Sequence, residues 1–398
     1  MKKGTAMPGK TAQLAQRMSR LGTETAFDVL VKARAVEATG RSVIHLEIGE
    51  PDFETPAHIV EAGIAALRGG ATHYGPAAGL PELREAIARQ AGAFRGMTIR
   101  PSQVVVTPGA KPIMYFCLTA LLDEGAEVVY PNPGFPIYES VIDFLGAAGK
   151  AVPLLEESGF SFDLDALRQL VGPATRLIVL NSPQNPTGGV LSREALKTVA
   201  ELAQRYDCWV LSDEIYDRIL YDGQHLSIAS LPGMQERTII LDGFSKTYAM
   251  TGWRLGYGIM PELLADAVAR LMTNSNSCTA TFTQMAGIAA LEGPQQPVEA
   301  MTAEFLRRRN AVVEGLNAIP GISCSCPAGA FYAFPNVSRL GLSAQAFADL
   351  LLERYGVAAL AGPGFGRYGE GYLRLSYANS LENLTEAIRR IAHAAAEL

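Results

Sequence analysis

An excess of positive charge is the first thing this sequence lacks. Lys and Arg number 34 against 40 Asp and Glu, a formal net charge of −6. Nucleic-acid binders draw their affinity from clustered Lys and Arg that neutralise phosphates, so no nucleic-acid partner is expected. No Lys/Arg run of the kind that anchors a chain to a membrane surface is present either. The uncharged stretch 271–291 carries Ser, Thr, Asn and Gln throughout, which is wrong for a membrane span. Lys2 and Lys3 open the chain but no apolar core follows them, so the start does not read as a secretory leader. Metal-ligand spacing is also missing. The five histidines, His45, His58, His73, His225 and His393, stand singly, without an H-E-x-x-H pair. Five cysteines are an odd count, and the close pair Cys324 and Cys326 forms C-S-C rather than C-x-x-C. No metal is expected, and unpaired thiols point to a reducing, cytoplasmic setting.

What is present is an ordinary globular composition: 398 residues, 48% apolar and 19% charged. At roughly 150 residues per domain this suggests two or three domains. A chain of this length buries about three-quarters of its unfolded surface and needs no disulfide or metal to hold it. Short, continuous β-branched runs recur at 104–107, 127–130, 177–180, 209–212, 239–242 and 255–258. Such runs are typical of strands buried on both faces. Between them lie helical patterns such as 192–206, with Leu196, Val199, Ala200 and Ala203 on one face. The alternation predicts an α/β fold: a large domain over 46–293 with a mostly parallel sheet between helices. A breaker cluster at 293–297 precedes a charged helix at 300–318, strand-like pieces at 329–334 and 372–376, and a last helix from 380. These predict a smaller α/β domain made of 1–45 and 294–398, with the amino-terminal helix near 27–39 packed on it.

Ligands of open parallel sheets bind beyond the carboxyl ends of the strands. The residues there are polar, Gly-rich or ionisable: Pro108-Gly109-Ala110-Lys111, Pro133-Gly134-Phe135, Asn185-Pro186-Thr187-Gly188, Asp213-Glu214-Ile215-Tyr216 and Gly243-Phe244-Ser245-Lys246. Lys246 is flanked by Phe244, Tyr248, Met250 and Trp253. A solvated loop lysine is the bland alternative. A lysine held among aromatics instead loses hydration, and its pKa falls toward what Schiff-base chemistry needs. Asp213 ends a strand among apolar neighbours, either as a loop cap or as the carboxylate that keeps a heterocyclic nitrogen protonated. Asn185 and Tyr216 can both hydrogen-bond a phenolate oxygen, although N-P-T-G is also a common turn. Arg254 can hold a phosphate as a fork, and Gly109-Ala110 can offer backbone N–H groups at a helix start.

Taken together, these residues form a recognisable series. G-F-S-K-x-x-A-M-x-G-x-R-L-G at 243–256 resembles the lysine signature of class I/II aminotransferases, the fold-type I enzymes dependent on pyridoxal 5′-phosphate. The order of the remaining motifs is similar too: Y-x-x-x-x-G from Tyr74, the loop at Gly109, Phe135, N-P-T-G at Asn185, D-E-I-Y at Asp213, and R-L-S-Y at Arg374. The resemblance spans the chain from about Leu46 onward, is nearest to the bacterial aspartate aminotransferase branch, and implies a seven-stranded, mostly parallel sheet in the large domain. It implies that Lys246 forms a Schiff base with the cofactor and later moves the substrate's proton, and that Asp213 pairs with the ring nitrogen. Tyr216 and Asn185 would hold the phenolate oxygen, and Phe135 would stack on the ring. Arg254, Ser245, Gly109, Ala110 and Lys111 would form the phosphate side, with Tyr74 reaching the phosphate of the partner subunit in a homodimer. Many relatives place the phosphate ligand three residues before the lysine, which here is Gly243. Arg374 would grip the substrate α-carboxylate, assisted by Asn185 and by the Gly49 backbone in the loop 48–53.

The resemblance implies amino-group transfer between an L-amino acid and a 2-oxo acid. A β-lyase, decarboxylase or oxygen-using deaminase would use the same lysine. A regulator built on a dead transaminase would need an appended binding region or a lost lysine, and Lys246 is present. For the substrate, the stretch 272–285 has no Arg or Lys to read a distal carboxylate, whereas Lys111 follows the phosphate loop as in a related branch. Aspartate and 2-oxoglutarate are therefore expected, with a broad neutral or aromatic enzyme as the alternative. Glu24 and Asp28, expected near the mouth of the site, oppose an acidic side chain.

Overall fold

The computed structural model describes residues 14–398; the opening lysines lie outside the described residues. After a short strand β1 (Ile44–His45), eight strands build the central sheet: β2 (Val104–Thr107), β3 (Glu127–Asn132), β4 (Ala148–Leu155), β5 (Ser161–Phe162), β6 (Thr175–Asn181), β7 (Trp209–Asp213), β8 (Thr238–Gly243) and β9 (Gly256–Ile259). Their order is β2-β9-β8-β7-β6-β3-β4-β5. From β8 to β4 every neighbouring pair is parallel. Strand β9 runs antiparallel to both β2 and β8.

The expected count of seven strands is exceeded by β5, a two-residue piece turned back antiparallel on β4. Strand β4 itself was not among the predicted runs. Its first residues, Ala148-Gly149-Lys150, are exposed or half-buried near the sheet's edge, so it lacks the unbroken apolar pattern of a central strand. The six runs that were predicted are buried because helices cover both faces. Alternate side chains of β6 show this: Leu177 and Val179 join a core with Ile113 and Leu118, while Ile178 and Leu180 join one with Leu196 and Val199. The helix Arg193–Arg205 starts where Ser192 accepts a hydrogen bond from the Ala195 N–H, and it buries the predicted face.

The remaining strands form two small sheets. Strands β10 (Tyr332–Ala333) and β12 (Leu360–Ala361) flank β13 (Leu373–Ser376) antiparallel, and β11 (Val357–Ala358) pairs with β1. Helices Gln296–Asn317 and Leu381–Ala396 share a core through Phe305, Val312, Leu384 and Ile391. The amino-terminal helix Thr25–Glu37 packs Ala33 against Leu352 and Ala358, on this smaller part as expected.

A buried ionic cluster fastens the sheet's carboxyl edge. Arg95, the last residue of helix Pro81–Arg95, donates from Nε to Glu214 at 2.8 Å and from Nη2 to Asp217 at 2.7 Å and Asp242 at 2.9 Å. His225 and Ser227 complete Glu214, and Tyr257 donates to Asp242 at 2.7 Å. Burial alone would raise the Glu214 pKa, but Arg95 and His225 outweigh it and hold the carboxyl well below the usual range. Glu214, Asp217 and His225 lie close enough to hold a metal ion, yet Arg95 already pairs with both carboxylates.

Removing one partner of a buried ion cluster costs about 3–5 kcal/mol because the others stay desolvated and unpaired. Arg95→Met should therefore lower the melting temperature clearly at pH 7.5. The deficit should shrink at pH 5, where the abandoned carboxylates take up protons. Thermal melts at the two pH values check this; an equal deficit at both would rule out the electrostatic role.

Candidate functional site

A cavity of about 380 Å³ opens at the carboxyl edge of the sheet, with the smaller part forming its other wall. Asp213 enters it as the last residue of β7. Tyr138 donates to its Oδ2 at 2.6 Å and the Ile215 N–H to its Oδ1 at 3.2 Å. Among the described residues no cation pairs with it. Burial pushes its pKa up to about 6, against the pull of those two donors. A buried carboxylate without a counter-ion suits a ligand that brings a protonated nitrogen.

Lys246 reaches the same cavity from the turn after β8. Its Nζ donates to the Gly49 carbonyl at 2.5 Å and stands 5.9 Å from the Phe331 ring centre. Burial lowers its pKa to about 8; Arg374 and Arg254 add to the effect, while Glu50 and Glu24 oppose it. A substantial neutral fraction at physiological pH makes it a competent nucleophile toward a carbonyl. The Gly49 position admits no side chain, because a Cβ would run into the Tyr332 hydroxyl.

Arg374, on β13, is buried. It donates to Asn185 Oδ1 at 3.2 Å and to the Glu47 carbonyl, and it lies over the Tyr332 ring at 4.7 Å. Its Nε is buried with no partner. A desolvated guanidinium with an unused donor on a cavity wall is a fitted receptor for a carboxylate. Tyr216 exchanges a hydrogen bond with Tyr332 at 2.8 Å, so Asn185, Tyr216 and Arg374 form one connected polar wall.

The opposite end is built for an anion. Gly109 holds φ +88°, and a Cβ there would collide with the Arg254 guanidinium. Glycine thus lets Arg254 lie across the turn, with Nη2 3.4 Å from the Pro108 carbonyl. Arg254 itself adopts φ 52°, a left-handed conformation that side chains adopt at a cost. Helix Lys111–Leu121 begins beside it with Ala110 as its cap, and this helix start, the end at which backbone N–H groups are left without intrahelical partners, lines the cavity through Ala110 and Lys111. Ser245 is buried and lines the cavity, whereas Gly243 is still inside β8. Phe135 meets Tyr138 edge-on, with centroids 5.6 Å apart, and leaves a face toward Lys111, whose Nζ is 5.3 Å from the ring centre.

Two expected neighbours stand apart. Tyr74 does not line the cavity, and 89% of it is exposed. Asp28 is exposed and does not line it either, which corrects its expected place at the mouth: Glu24, Ala26 and Phe27, at the start of the helix, reach the cavity and Asp28 does not. Sequence reasoning missed Tyr332 and Tyr138. Tyr332 sat in the run F-Y-A-F, readable only as a strand. Tyr138 follows Phe135 by three residues, which would have placed it one helical turn on, had the helix start been recognised.

The set fits a phosphorylated pyridine aldehyde: an anion cradle at one end, a carboxylate awaiting a cationic ring nitrogen, and a lysine of lowered pKa between them. The family description "Aminotransferase class I and II" matches residues 41–391. The chain is 43% identical over 355 residues to an aspartate aminotransferase of Pyrococcus horikoshii, covering 88% of this chain and 90% of the relative. It is 41% identical over 373 residues to an arginine–pyruvate transaminase of Pseudomonas aeruginosa, covering 94% and 95%. The crystal structure of an aromatic aminotransferase from Pyrococcus horikoshii superposes with a TM-score of 0.88 at 41% identity, covering 92% of this chain and 99% of that one. With the α/β architecture, the cavity and these likenesses in agreement, the chain belongs to the class I and II aminotransferases, enzymes of fold type I that depend on pyridoxal phosphate.

Proposed function

We propose that this enzyme moves the amino group between L-aspartate and 2-oxoglutarate in two half-reactions run in one cavity. The observation that supports this reading is the convergence of Lys246, Asp213, Arg374 and Lys111 on that cavity. Pyridoxal phosphate, when bound, supplies a carbonyl for amine exchange and a ring that takes up negative charge from the substrate carbon. Arg254, Ser245 and the N–H groups at Gly109 and Ala110 would hold its phosphate, and Phe135 would cover its ring. Asp213 would keep a proton on the ring nitrogen, a task suited to a carboxylate with no cation of its own. Asn185 and Tyr216 would donate to the phenolate oxygen. Lys246 would bond the carbonyl carbon and, once displaced by substrate, carry the proton to and from the substrate Cα. Arg374 would bind the α-carboxylate with help from Asn185 and Gly49, and Lys111 would read the distal carboxylate.

A second reading takes neutral and aromatic amino acids. It is favoured by the Lys111–Glu24 ion pair, which neutralises the distal cation, and by the apolar walls of Ala26, Phe27, Ile48 and Met114. We further propose a homodimer in which the exposed Tyr74 completes the partner's phosphate site, and a division into a large domain over 46–293 and a small one of 1–45 and 294–398. A cytoplasmic setting is in keeping with this reading; among the described residues no helix is long and apolar enough to cross a membrane.

Three outcomes test these assignments. In the cofactor-free protein, reductive methylation of Lys246 should speed up with pH and level off above about 8, because the neutral amine is the reacting form and is by then fully populated. Exposed lysines should keep accelerating until about 10.4. Peptide mapping across pH reads both, and a Lys246 that titrates with the exposed lysines would remove the basis for its role.

Arg374→Ala should lower kcat/KM for every amino acid by about 10²-fold or more, since the α-carboxylate is common to all and loses its buried partner. Lys111→Ala should lower the aspartate-to-alanine ratio of kcat/KM about five- to thirty-fold, with that ratio steady in Arg374→Ala. An unchanged ratio in Lys111→Ala would move the assignment to the neutral or aromatic reading.

With Tyr74→Phe first measured to be strongly damaging by itself, mixing it with inactive Lys246→Ala chains should restore part of the activity, because a hybrid dimer holds one site with both residues intact. No recovery in hybrids verified by mass would contradict the shared site.

A further inference from the structure

Glu24 is the one acidic residue of the cavity that faces a substrate-reading cation and has no task in the proposed reaction. It immediately precedes helix Thr25–Glu37, the position from which an acidic side chain ordinarily caps the first N–H groups, yet it makes no capping hydrogen bond. Its carboxylate reaches across the cavity to the Lys111 ammonium instead. Glu24 is one-fifth exposed there, and its charge is felt at Lys246, Arg374 and Tyr332. Glu24 and Lys111 both line the cavity, so their pair sits beside the space proposed for a substrate side chain. Among the described residues Glu24 is the only carboxylate on Lys111, whose other neighbour is the face of Phe135.

Neutral amino acids, which the second reading takes, would enter the same space as aspartate. A fixed, unpaired cation suits an acidic side chain but is left without a partner beside a neutral one. A resident carboxylate resolves the conflict. It pairs with Lys111 when the side chain is neutral and competes with the distal carboxylate when the side chain is acidic. Lys111 has three donors and can exchange one partner for the other. The exchange is inexpensive because Lys111 is half exposed and its pair with Glu24 is open to solvent.

We infer that Glu24 is a specificity-determining residue that acts through Lys111 as a built-in counter-carboxylate, so that one cavity takes both dicarboxylic and neutral amino acids. The inference rests on Lys111 as the reader of the side chain.

The test uses the holoenzyme and single half-reactions followed by cofactor absorbance, with aspartate, alanine and phenylalanine as donors. Glu24→Gln should raise kcat/KM for aspartate about three- to ten-fold and lower it for the two neutral donors, with KM carrying the change and kcat nearly constant. The double variant Glu24→Gln with Lys111→Met should match Lys111→Met alone, because Glu24 acts only through Lys111. An aspartate-to-alanine ratio in Glu24→Gln equal to wild type, a change carried by kcat, or additive effects in the double variant would each overturn the inference. Lys111→Met separates the two levels. If its ratio falls while Glu24→Gln stays at the wild-type ratio, the inference fails and the Lys111 assignment stands. If its own ratio does not move, the assignment fails and takes the inference with it.

Discussion

The guanidinium of Arg95 lies beneath the carboxyl edge of the sheet and binds three carboxylates drawn from the ends of two adjacent strands. One strand, β7, delivers Asp213 to the cavity, and the other, β8, leads into the turn that carries Lys246. Their spacing is set by β pairing up to Asp213 and by the ionic cluster beyond it. A buried cluster is costly to assemble and more costly to break, so it tolerates few alternative arrangements of the two turns. The site rests on that rigidity, because a carboxylate and a lysine with opposite pKa shifts are useful only at a fixed separation.

Those opposite shifts have one cause. Burial disfavours charge, which raises Asp213 to about 6 and lowers Lys246 to about 8. Neither residue is relieved by an ion pair, and Arg374 retains an unpaired buried Nε. Among the described residues the cavity therefore holds buried ionisable groups of both signs without an ionic partner, a cost that a folded protein carries at a binding site and avoids elsewhere. A ligand combining a phosphate, a ring nitrogen and a carboxylated amine answers these groups one by one.

The two parts of the chain divide the work. The central sheet supplies the anion cradle, Asp213, Asn185 and Lys246, while the smaller part brings Arg374 and Tyr332 on adjacent strands and Glu24 on the amino-terminal segment. The Lys111–Glu24 pair lies where the amino-terminal segment meets the start of helix Lys111–Leu121.

By itself the sequence determined the layered α/β architecture, because buried parallel strands demand continuous apolar runs and their helices a 3.6-residue period. Six of the central strands and the residues at their ends were legible for that reason. Edge pieces were not: β4 is partly exposed and β5 is two residues long, so neither carries a buried-run pattern. Lys246, Asp213, Asn185, Tyr216 and Arg374 were readable from local motifs, and the tertiary structure gathers them around one cavity. Tyr332 and Tyr138 were not, since their roles lie in contacts with residues distant in the chain: Asp213 for Tyr138, and Tyr216, Arg374 and Gly49 for Tyr332. The same holds for Arg95, an unremarkable residue at a helix end until folding places three distant carboxylates around it. It holds for Glu24 and Asp28 as well: four residues apart and alike in charge, one reaches the cavity and the other faces solvent. Local pattern records what a residue does for its own helix or strand; long-range charge pairing is decided only when the chain closes on itself.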